Sequence, residues 1–577
     1  MKPRIVRREV PEGSELPLDW PAVVRRVLGA RGAVREGHIE TSLKGMLSMA
    51  ALDGIDTAVE LIEEVLNREG TIVIVGDFDA DGATSVALAI RALRAMGATR
   101  VDYLVPNRFE FGYGLTPEIV DVAAAEKPDL VITVDNGISS HDGIARAHEH
   151  HIKVLVTDHH LPGPELPAAD AIVNPNLPTD TFESKSLAGV GVVFYVMTAL
   201  RARLRERGWF ERRQIPEPRL ADFLDLVALG TVADVVPLDQ NNRRLVAQGL
   251  SRIRAGRCQP GITALVQAAG REQRSLTTSD LGFAIGPRLN AAGRLSDMSL
   301  GIECLLTDDA KQSALMAEKL DQLNRERREI ESEMREHAFE LVEAMLPDSK
   351  PESVPAALVL HHDEWHQGVI GIVASRVKER FHRPVIAFAP GDEATLKGSA
   401  RSIEGLHVRD VLERVHGLNP GLIRHFGGHA MAAGLSLDPD KLEAFRVAFI
   451  AAVDEALDDS NRARVLWSDG ELRGREMNLD TARLLAEIAP WGQGFPEPRF
   501  DGVFTIEDLR TVGEYHVRLV LGLDGSDRTV AAIAFNAVNE PWSKGDTIHA
   551  LYKLDINNYR DVETLQLVID HAARVDD

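Results

Sequence analysis

Between residues 71 and 173, short apolar runs rich in β-branched residues alternate with Ala-rich stretches. The runs at 71–75, 100–106, 130–134, 154–157 and 171–173 predict strands, and the stretches at 84–96, 117–125 and 143–150 predict helices. Strand–helix alternation of this kind predicts a parallel sheet covered by helices on both faces. Ligands of such sheets sit at the carboxyl ends of the strands, beside the point where strand order reverses.

From 308 to 346 the pattern changes. Apolar residues fall at Met316, Leu320, Leu323, Ile330, Met334, Leu341 and Met345, with charge between them. These steps of three, four or seven predict one amphipathic helix ended by Pro347. At the usual rise such a helix is on the order of 55 Å long, enough to join two lobes. A second α/β pattern follows, with strands expected at 357–361 and 385–388, a helix at 371–381 and another near 440–457. Beyond 465, alternating segments at 515–521, 529–535 and 547–556 are separated by Gly, Asp and Asn turns. They predict a small antiparallel barrel or sandwich.

The chain has 577 residues, of which 44% are hydrophobic, so several packed cores are expected. No apolar stretch is long enough to span a bilayer, and the N-terminal residues lack the apolar segment of a secretion signal. Cys258 and Cys304 are the two cysteines and match no zinc or redox spacing. Such sparse use of cysteine fits a reducing cytoplasm. A soluble, multidomain cytoplasmic protein with no membrane association is expected.

Net charge is −23, which by itself argues against a nucleic-acid ligand, since phosphate binding draws on basic surface. Metal-binding carboxylates account for part of the acid, and the basic residues can be concentrated locally. Arginine is dense at Arg201, Arg203, Arg205, Arg207, Arg212 and Arg213, and again at Arg243, Arg244, Arg252, Arg254 and Arg257. Each run reads equally well as a solvated helix face or as part of a groove.

The strongest chemical feature is Gly76-Asp77-Phe78-Asp79-Ala80-Asp81-Gly82, directly after an apolar strand and opening a helix. Alternate carboxylates in an apolar setting repel one another and lose hydration, and divalent cations relieve both penalties. An Asp-Gly-rich segment can also be a calcium loop or a plain turn, but the preceding strand and the absence of a Glu at loop position twelve do not fit an EF-hand. Similar groups follow other predicted strands: Asp135 in Val134-Asp135-Asn136-Gly137, Asp158-His159-His160 after Thr157, and Asp234 in Thr231-Val232-Ala233-Asp234. If these strands are parallel neighbours, four acidic or imidazole groups meet at one sheet edge. Oxygen ligands favour Mg²⁺ or Mn²⁺, and imidazole shifts the preference toward Mn²⁺. Such a set can hold two cations about 3.5–4 Å apart, the arrangement used in phosphoryl hydrolysis.

In order along the chain, these motifs resemble those of the DHH phosphoesterase superfamily. The resemblance implies Asp77, Asp79, Asp81, Asp135, His159 and Asp234 as metal ligands, with Asp77 the least direct, and His160, Asp81 and Asp158 as catalytic groups. Arg424-His425-Phe426-Gly427-Gly428-His429 looks like the substrate loop of a DHHA1 domain, the usual partner of DHH. Two further segments resemble the RecJ nuclease family within it. Gly286-Pro287-Arg288-Leu289-Asn290-Ala291-Ala292-Gly293-Arg294 implies phosphate contacts by Arg288, Asn290 and Arg294. Lys397-Gly398-Ser399-Ala400-Arg401 implies a terminal 5′-phosphate site at Ser399 and Arg401, with Gly427, Gly428 and His429 also touching DNA.

The fold class so implied is α/β: a parallel-sheet DHH domain joined by a long helix to a smaller α/β DHHA1 domain, followed by a C-terminal OB-type β-barrel. The corresponding spans are 1–307, 308–350, 351–459 and 460–577. The implied activity is hydrolysis of single-stranded DNA from 5′ to 3′, releasing 5′-mononucleotides by a two-metal-ion mechanism with Mn²⁺ or Mg²⁺. The strand would run between the lobes and along the barrel. The family also implies recombination and repair, a helicase and single-strand binding protein as partners, and a monomer. Two other readings compete: a DHH oligoribonuclease or pyrophosphatase, and a non-catalytic single-strand scaffold.

Overall fold

The computed structural model describes residues 3–106, 114–345, 354–391, 395–458, 464–523, 528–559 and 562–575. It divides into two compact units, one of residues 9–324 with 471–577, the other of residues 1–8 with 325–470.

The first unit is built on five parallel strands. In spatial order they are Arg100–Leu104, Thr71–Gly76, Leu130–Val134, Lys153–Thr157 and Ala171–Val173. All five lie where the apolar runs predict them. The chain starts at Thr71–Gly76, steps outward to Arg100–Leu104, and then returns to the other side of its starting strand. The order therefore reverses between Thr71–Gly76 and Leu130–Val134, which sets the crevice there. Buried apolar side chains on both faces of these strands lie beneath helices Ala80–Ala95, Pro117–Ala124 and Gly189–Glu206, among others.

Helix Ala80–Ala95 begins four residues before the sequence expectation, because Asp79 caps it by accepting the amides of Asp81 and Gly82. Capping by Asp79 places Asp81 in the first helical turn, with Asp77 and Asp79 just before it.

A closed five-stranded barrel completes this unit, in the order Phe500–Val512, His516–Leu523, Thr529–Ala534, Val562–Arg574 and Thr547–Tyr559. The sequence predicted only antiparallel pairing; Thr529–Ala534 and Val562–Arg574 are instead parallel. That pair closes the barrel without leaving an edge strand. The segment before the barrel ties it to the helices: the Leu238 amide donates to the Gln493 carbonyl at 2.6 Å, and the Arg243 guanidinium lies 4.0 Å above the Phe495 ring.

The second unit holds a mixed sheet ordered His425–Gly428, Ala432–Leu437, Leu396–Arg401, Val385–Pro390 and Leu358–His361, in which only the last pair is parallel. The N-terminal strand Arg4–Arg7 belongs to this unit too, pairing in parallel with Val465–Ser468. A four-residue strand with no alternation carried no sequence signal for that partner.

Helix Ala310–Ala344 is a single run of 35 residues, matching the predicted amphipathic helix; the predicted stop at Pro347 lies outside the described residues. Ala317 and Leu320 are buried in the core of the first unit. Met334, Ala338 and Val342 are buried in a core of the second. Among the described residues, no helix is long and apolar enough to cross a membrane.

Candidate metal centre and substrate-binding residues

Three strand ends and one helix end converge at the crevice. Asp77, Asp79 and Asp81 follow Thr71–Gly76, Asp135 follows Leu130–Val134, and Asp158, His159 and His160 follow Lys153–Thr157. Asp234 is the correction: it caps the C-terminus of helix Leu224–Ala233 and follows no strand. The apolar run before it is buried all round, and periodicity alone does not separate a short buried helix from a buried strand.

The geometry is tight. His159 Nε2 lies 3.0 Å from Asp135 Oδ1, 3.5 Å from Asp234 Oδ2 and 4.0 Å from Asp81 Oδ2. Ligand atoms of Asp81, His159 and Asp234 fall within 4.8 Å of one another, and so do those of Asp77, Asp79 and Asp135. These two groups share no residue. A third combines Asp135, His159 and His160.

Electrostatics show the strain of the assembly. Burial, then the charge of Asp79, pushes the Asp81 carboxyl up to about 7, against the pull of the Val190 and Gly189 amides. Burial and the neighbouring Asp81 raise Asp135 and Asp234 well above the usual carboxylate range. Among the described residues, the buried Asp234 Oδ2 atom has no hydrogen-bond partner. A divalent cation would satisfy that oxygen and remove the repulsion, so the residues fit such an ion.

Asp158 plays another part. Its Oδ1 accepts the His160 ring Nδ1 at 2.7 Å and the amides of His159 and His160, while its Oδ2 accepts the Ile138 amide. Burial opposes its charge, but the His160 hydrogen bond outweighs it and holds the carboxyl below its ordinary value. Burial likewise opposes a charged His160, yet Asp158 together with Asp77 and Asp79 pushes the imidazole up to about 9. In the metal-free site this shift favours a protonated His160.

Several supporting groups went unread in the sequence. Asp81 is seated on the N-terminus of helix Gly189–Glu206, accepting the Gly189 amide at 2.6 Å and the Val190 amide at 3.0 Å. A side chain at Gly189 would stand 2.6 Å from Asp135 Cβ, so glycine alone allows that approach. Asn136 donates to the carbonyls of Val75 and Val134, linking the two strands at the reversal. Asn174 and Asn176 hold the carbonyls of His160 and His159. The Ala188-Gly189-Val190-Gly191 helix start was the available signal for the first of these.

The other predicted residues are distributed unevenly. Asn290 accepts the Ala80 amide at 2.7 Å and so braces the acidic turn. Arg288 is buried and paired with Asp321 at 2.7 Å. Arg294 lies in the same helix, Gly286–Leu295. Ser399, Arg401, Gly427, Gly428 and His429 belong to the other compact unit. There, Arg401 donates to Ser399 Oγ and the Ala400 carbonyl, and no carboxylate pairs with it among the described residues. Burial lowers its pKa. A side chain at Gly371, in the first turn of helix Ile370–Phe381, would meet the Arg401 guanidinium at 2.6 Å and Ser399 Oγ at 2.9 Å. Gly427, Gly428 and His429 are exposed at the edge hairpin of the sheet.

The arginine runs resolve as structural links. Arg203 and Arg207 pair with the buried Glu63, Arg201 and Arg205 with Glu217, and Arg252 with Asp222. Arg243, Arg244 and Arg254 donate to backbone carbonyls.

Comparison with known proteins agrees along the whole chain. The DHH family, N-terminal domain matches residues 71–231, the DHHA1 domain 354–455 and the RecJ OB domain 468–571. The single-stranded-DNA-specific exonuclease RecJ of Dickeya dadantii is 54% identical over 98% of both chains. That of Haemophilus influenzae is 50% identical over the full length of both. The crystal structure of Thermus thermophilus RecJ in complex with Mn²⁺ superposes with a TM-score of 0.78 at 31% identity, covering 96% of this chain and 76% of that one. The Mg²⁺ complex of the same protein gives a TM-score of 0.74. With the domains of that family in the same order and identity sustained from end to end, this chain belongs to the RecJ family of DHH exonucleases.

Proposed function

We propose that the protein degrades single-stranded DNA from the 5′ end, releasing 5′-mononucleotides, in recombination and repair. The observation that carries this reading is the double set of ligand atoms at the sheet reversal, in a chain half identical to RecJ exonucleases. Asp77, Asp79, Asp81, Asp135, His159 and Asp234 would hold two Mn²⁺ or Mg²⁺ ions. Those ions supply Lewis-acid neutralisation of phosphate charge and activation of water. Asp81 is oriented by two helix-terminal amides, and Asp234 stands at the C-terminal end of its helix. His160, kept protonated by Asp158, offers its second ring N–H to a phosphate oxygen or a leaving group. A cytoplasmic monomer working behind a helicase and beside single-strand binding protein fits this activity.

The decisive experiment is digestion of end-labelled single- and double-stranded DNA with Mn²⁺, with Mg²⁺ and with EDTA. Nucleotides released from the 5′ end of single strands, in the presence of either cation, are expected. Release from the 3′ end, or products that stop at dinucleotides, would defeat the reading.

The half-buried cation at Arg401, beside Ser399 and a helix start, suits a terminal phosphate. Removing the 5′ phosphate is expected to weaken binding by about tenfold or more in the wild type. In Arg401→Ala the same removal should make no difference. Anisotropy titrations with 5′-phosphate and 5′-hydroxyl strands check this; equal discrimination by both proteins rules the site out.

The outer face of the barrel supports a strand contact as well. Arg510 and Arg518 stand directly opposite each other on adjacent strands, and no carboxylate pairs with either among the described residues. Beside them the His516 and Phe535 rings pack at 5.1 Å. Like charges placed opposite each other destabilise a sheet, and a phosphate relieves them. Replacing both arginines by Ser is expected to lower the salt slope of single-strand binding by about 1.4. An unchanged slope would exclude this face.

A further inference from the structure

The segment that braces the metal centre carries one feature that bracing does not explain. Residues Leu281–Ile285 form a π-helical turn leading into helix Gly286–Leu295. Leu281, Ala284 and Ile285 are buried, whereas Phe283 is 80% exposed, more than any other Phe, Trp or Tyr among the described residues. A π-turn adds a residue to the helical repeat and re-aims the side chains after it, and such turns concentrate at functional sites.

The position of this turn is fixed on two sides. A side chain at Gly282 would stand 3.3 Å from Val232 Cγ1, and one at Gly286 would stand 3.0 Å from Ala233 Cβ. The turn therefore sits against the last residues before Asp234. Farther along, Asn290 accepts the Ala80 amide, and a side chain at Gly293 would lie 1.8 Å from the Phe78 carbonyl. The same segment thus touches the acidic turn and the Asp234 helix.

A second irregularity lies next to it. Val235 directly follows Asp234, has a φ of +62° and is 63% exposed. A β-branched residue in the left-handed region is strained, and strain of this kind gathers where a site must hold a shape. Two exposed apolar residues, each on irregular backbone, thus lie in the segments that meet beside Asp234. Neither offers charge to a phosphate. An aromatic face does suit a nucleobase, and base stacking tolerates any sequence.

We propose that Phe283, with Val235, forms an apolar rest for a base of the strand being cut, placing the neighbouring phosphate at the carboxylates. Phe283 is then a positioning residue for the exonuclease reading above, on which this inference rests. The contact is indifferent to sequence, as a general exonuclease requires.

Steady-state hydrolysis of a normal single strand and of one with abasic residues at its 5′ end tests the assignment. With the normal strand, Phe283→Ala is expected to raise KM roughly tenfold at nearly constant kcat, the size of losing one base–aromatic contact, and Phe283→Tyr to restore it. With the abasic strand, the wild type should already show the raised KM, and Phe283→Ala should add nothing. An unchanged KM for Phe283→Ala on the normal strand overturns the proposal, as does an equal loss on both strands. Loss of self-association in that variant at unchanged KM also overturns it, assigning the patch to a second copy of the chain. A wild type with no cation-dependent cleavage of the normal strand would instead defeat the exonuclease reading itself.

Discussion

Asp81→Ala is expected to lower hydrolysis of single-stranded DNA by at least about a thousandfold while leaving the fold in place. Asp81 is the most deeply enclosed of the converging carboxylates, with none of its surface exposed. Both of its oxygens are already oriented, one by the Gly189 amide and one by the Val190 amide. A ligand fixed in this way spends little energy on ordering when a cation arrives, which is why its loss should be felt in the reaction. For stability, two effects oppose each other. Truncation leaves two helix-terminal amides without their acceptor, at about 1–3 kcal/mol each. It also removes a buried charge that repels Asp79, Asp135 and Asp234. Circular dichroism and the melting temperature should therefore stay close to those of the metal-free wild type. Substantial cleavage by a folded Asp81→Ala protein would refute the proposed centre.

The second large effect concerns protons and cations competing for one set of oxygens. In the metal-free protein the Asp81 carboxyl is raised from 3.8 to about 7, first by burial and then by Asp79. Between those values the folded state binds a proton that the unfolded chain has released. Stability from this group is then present below the unfolded pKa and lost as pH rises toward 7, at about 1.4 kcal/mol per proton and pH unit. Asp135 and Asp234 are raised in the same direction and act the same way. Asp158, held low by His160, acts in the opposite sense, losing its contribution as pH falls. The clean measurement is therefore a difference. Relative to wild type, metal-free Asp81→Asn is expected to gain stability between pH 5 and pH 7.5. Mn²⁺ should raise the melting temperature of the wild type strongly at pH 7.5 and weakly at pH 5, where protons occupy the site. Equal Mn²⁺ shifts at both pH values would contradict the arrangement, as would a wild-type-like pH profile for the variant.

Much of this was written in local pattern. Each strand of the parallel sheet is a short β-branched run bounded by turn residues, so its position follows from composition within a few residues. The amphipathic helix Ala310–Ala344 is equally plain, because an apolar stripe repeated over 35 residues suits no other structure. The acidic motifs were legible because three Asp in five residues after a buried strand have no structural use that repays their repulsion. Asp234 was legible as chemistry but not as geometry, since the buried run before it has no solvent face to set a period.

The arginine runs divide in a physical way. Arginines dense in sequence were expected to be either a solvated face or a groove; Arg205, Arg207, Arg212 and Arg257 are exposed, while others pair with Glu63, Glu217 and Asp222 or tie loops to helices. Glu63 is 140 residues from Arg203 and Asp222 is 30 from Arg252, so no short window of sequence contains both members of those pairs. Arg510 and Arg518, inconspicuous in the sequence, are brought opposite each other with no carboxylate paired to either among the described residues.

The sequence by itself determined the element types, the acidic motifs and the order of the three folded parts, because each depends on neighbours within a turn or a strand. Tertiary structure alone decided which oxygens meet and which helix terminus seats Asp81. It likewise decided that the N-terminal strand joins residues 465–468. Those contacts span tens to hundreds of residues. They are fixed by the reversal of strand order and by glycine-sized approaches between helices, which no local pattern encodes.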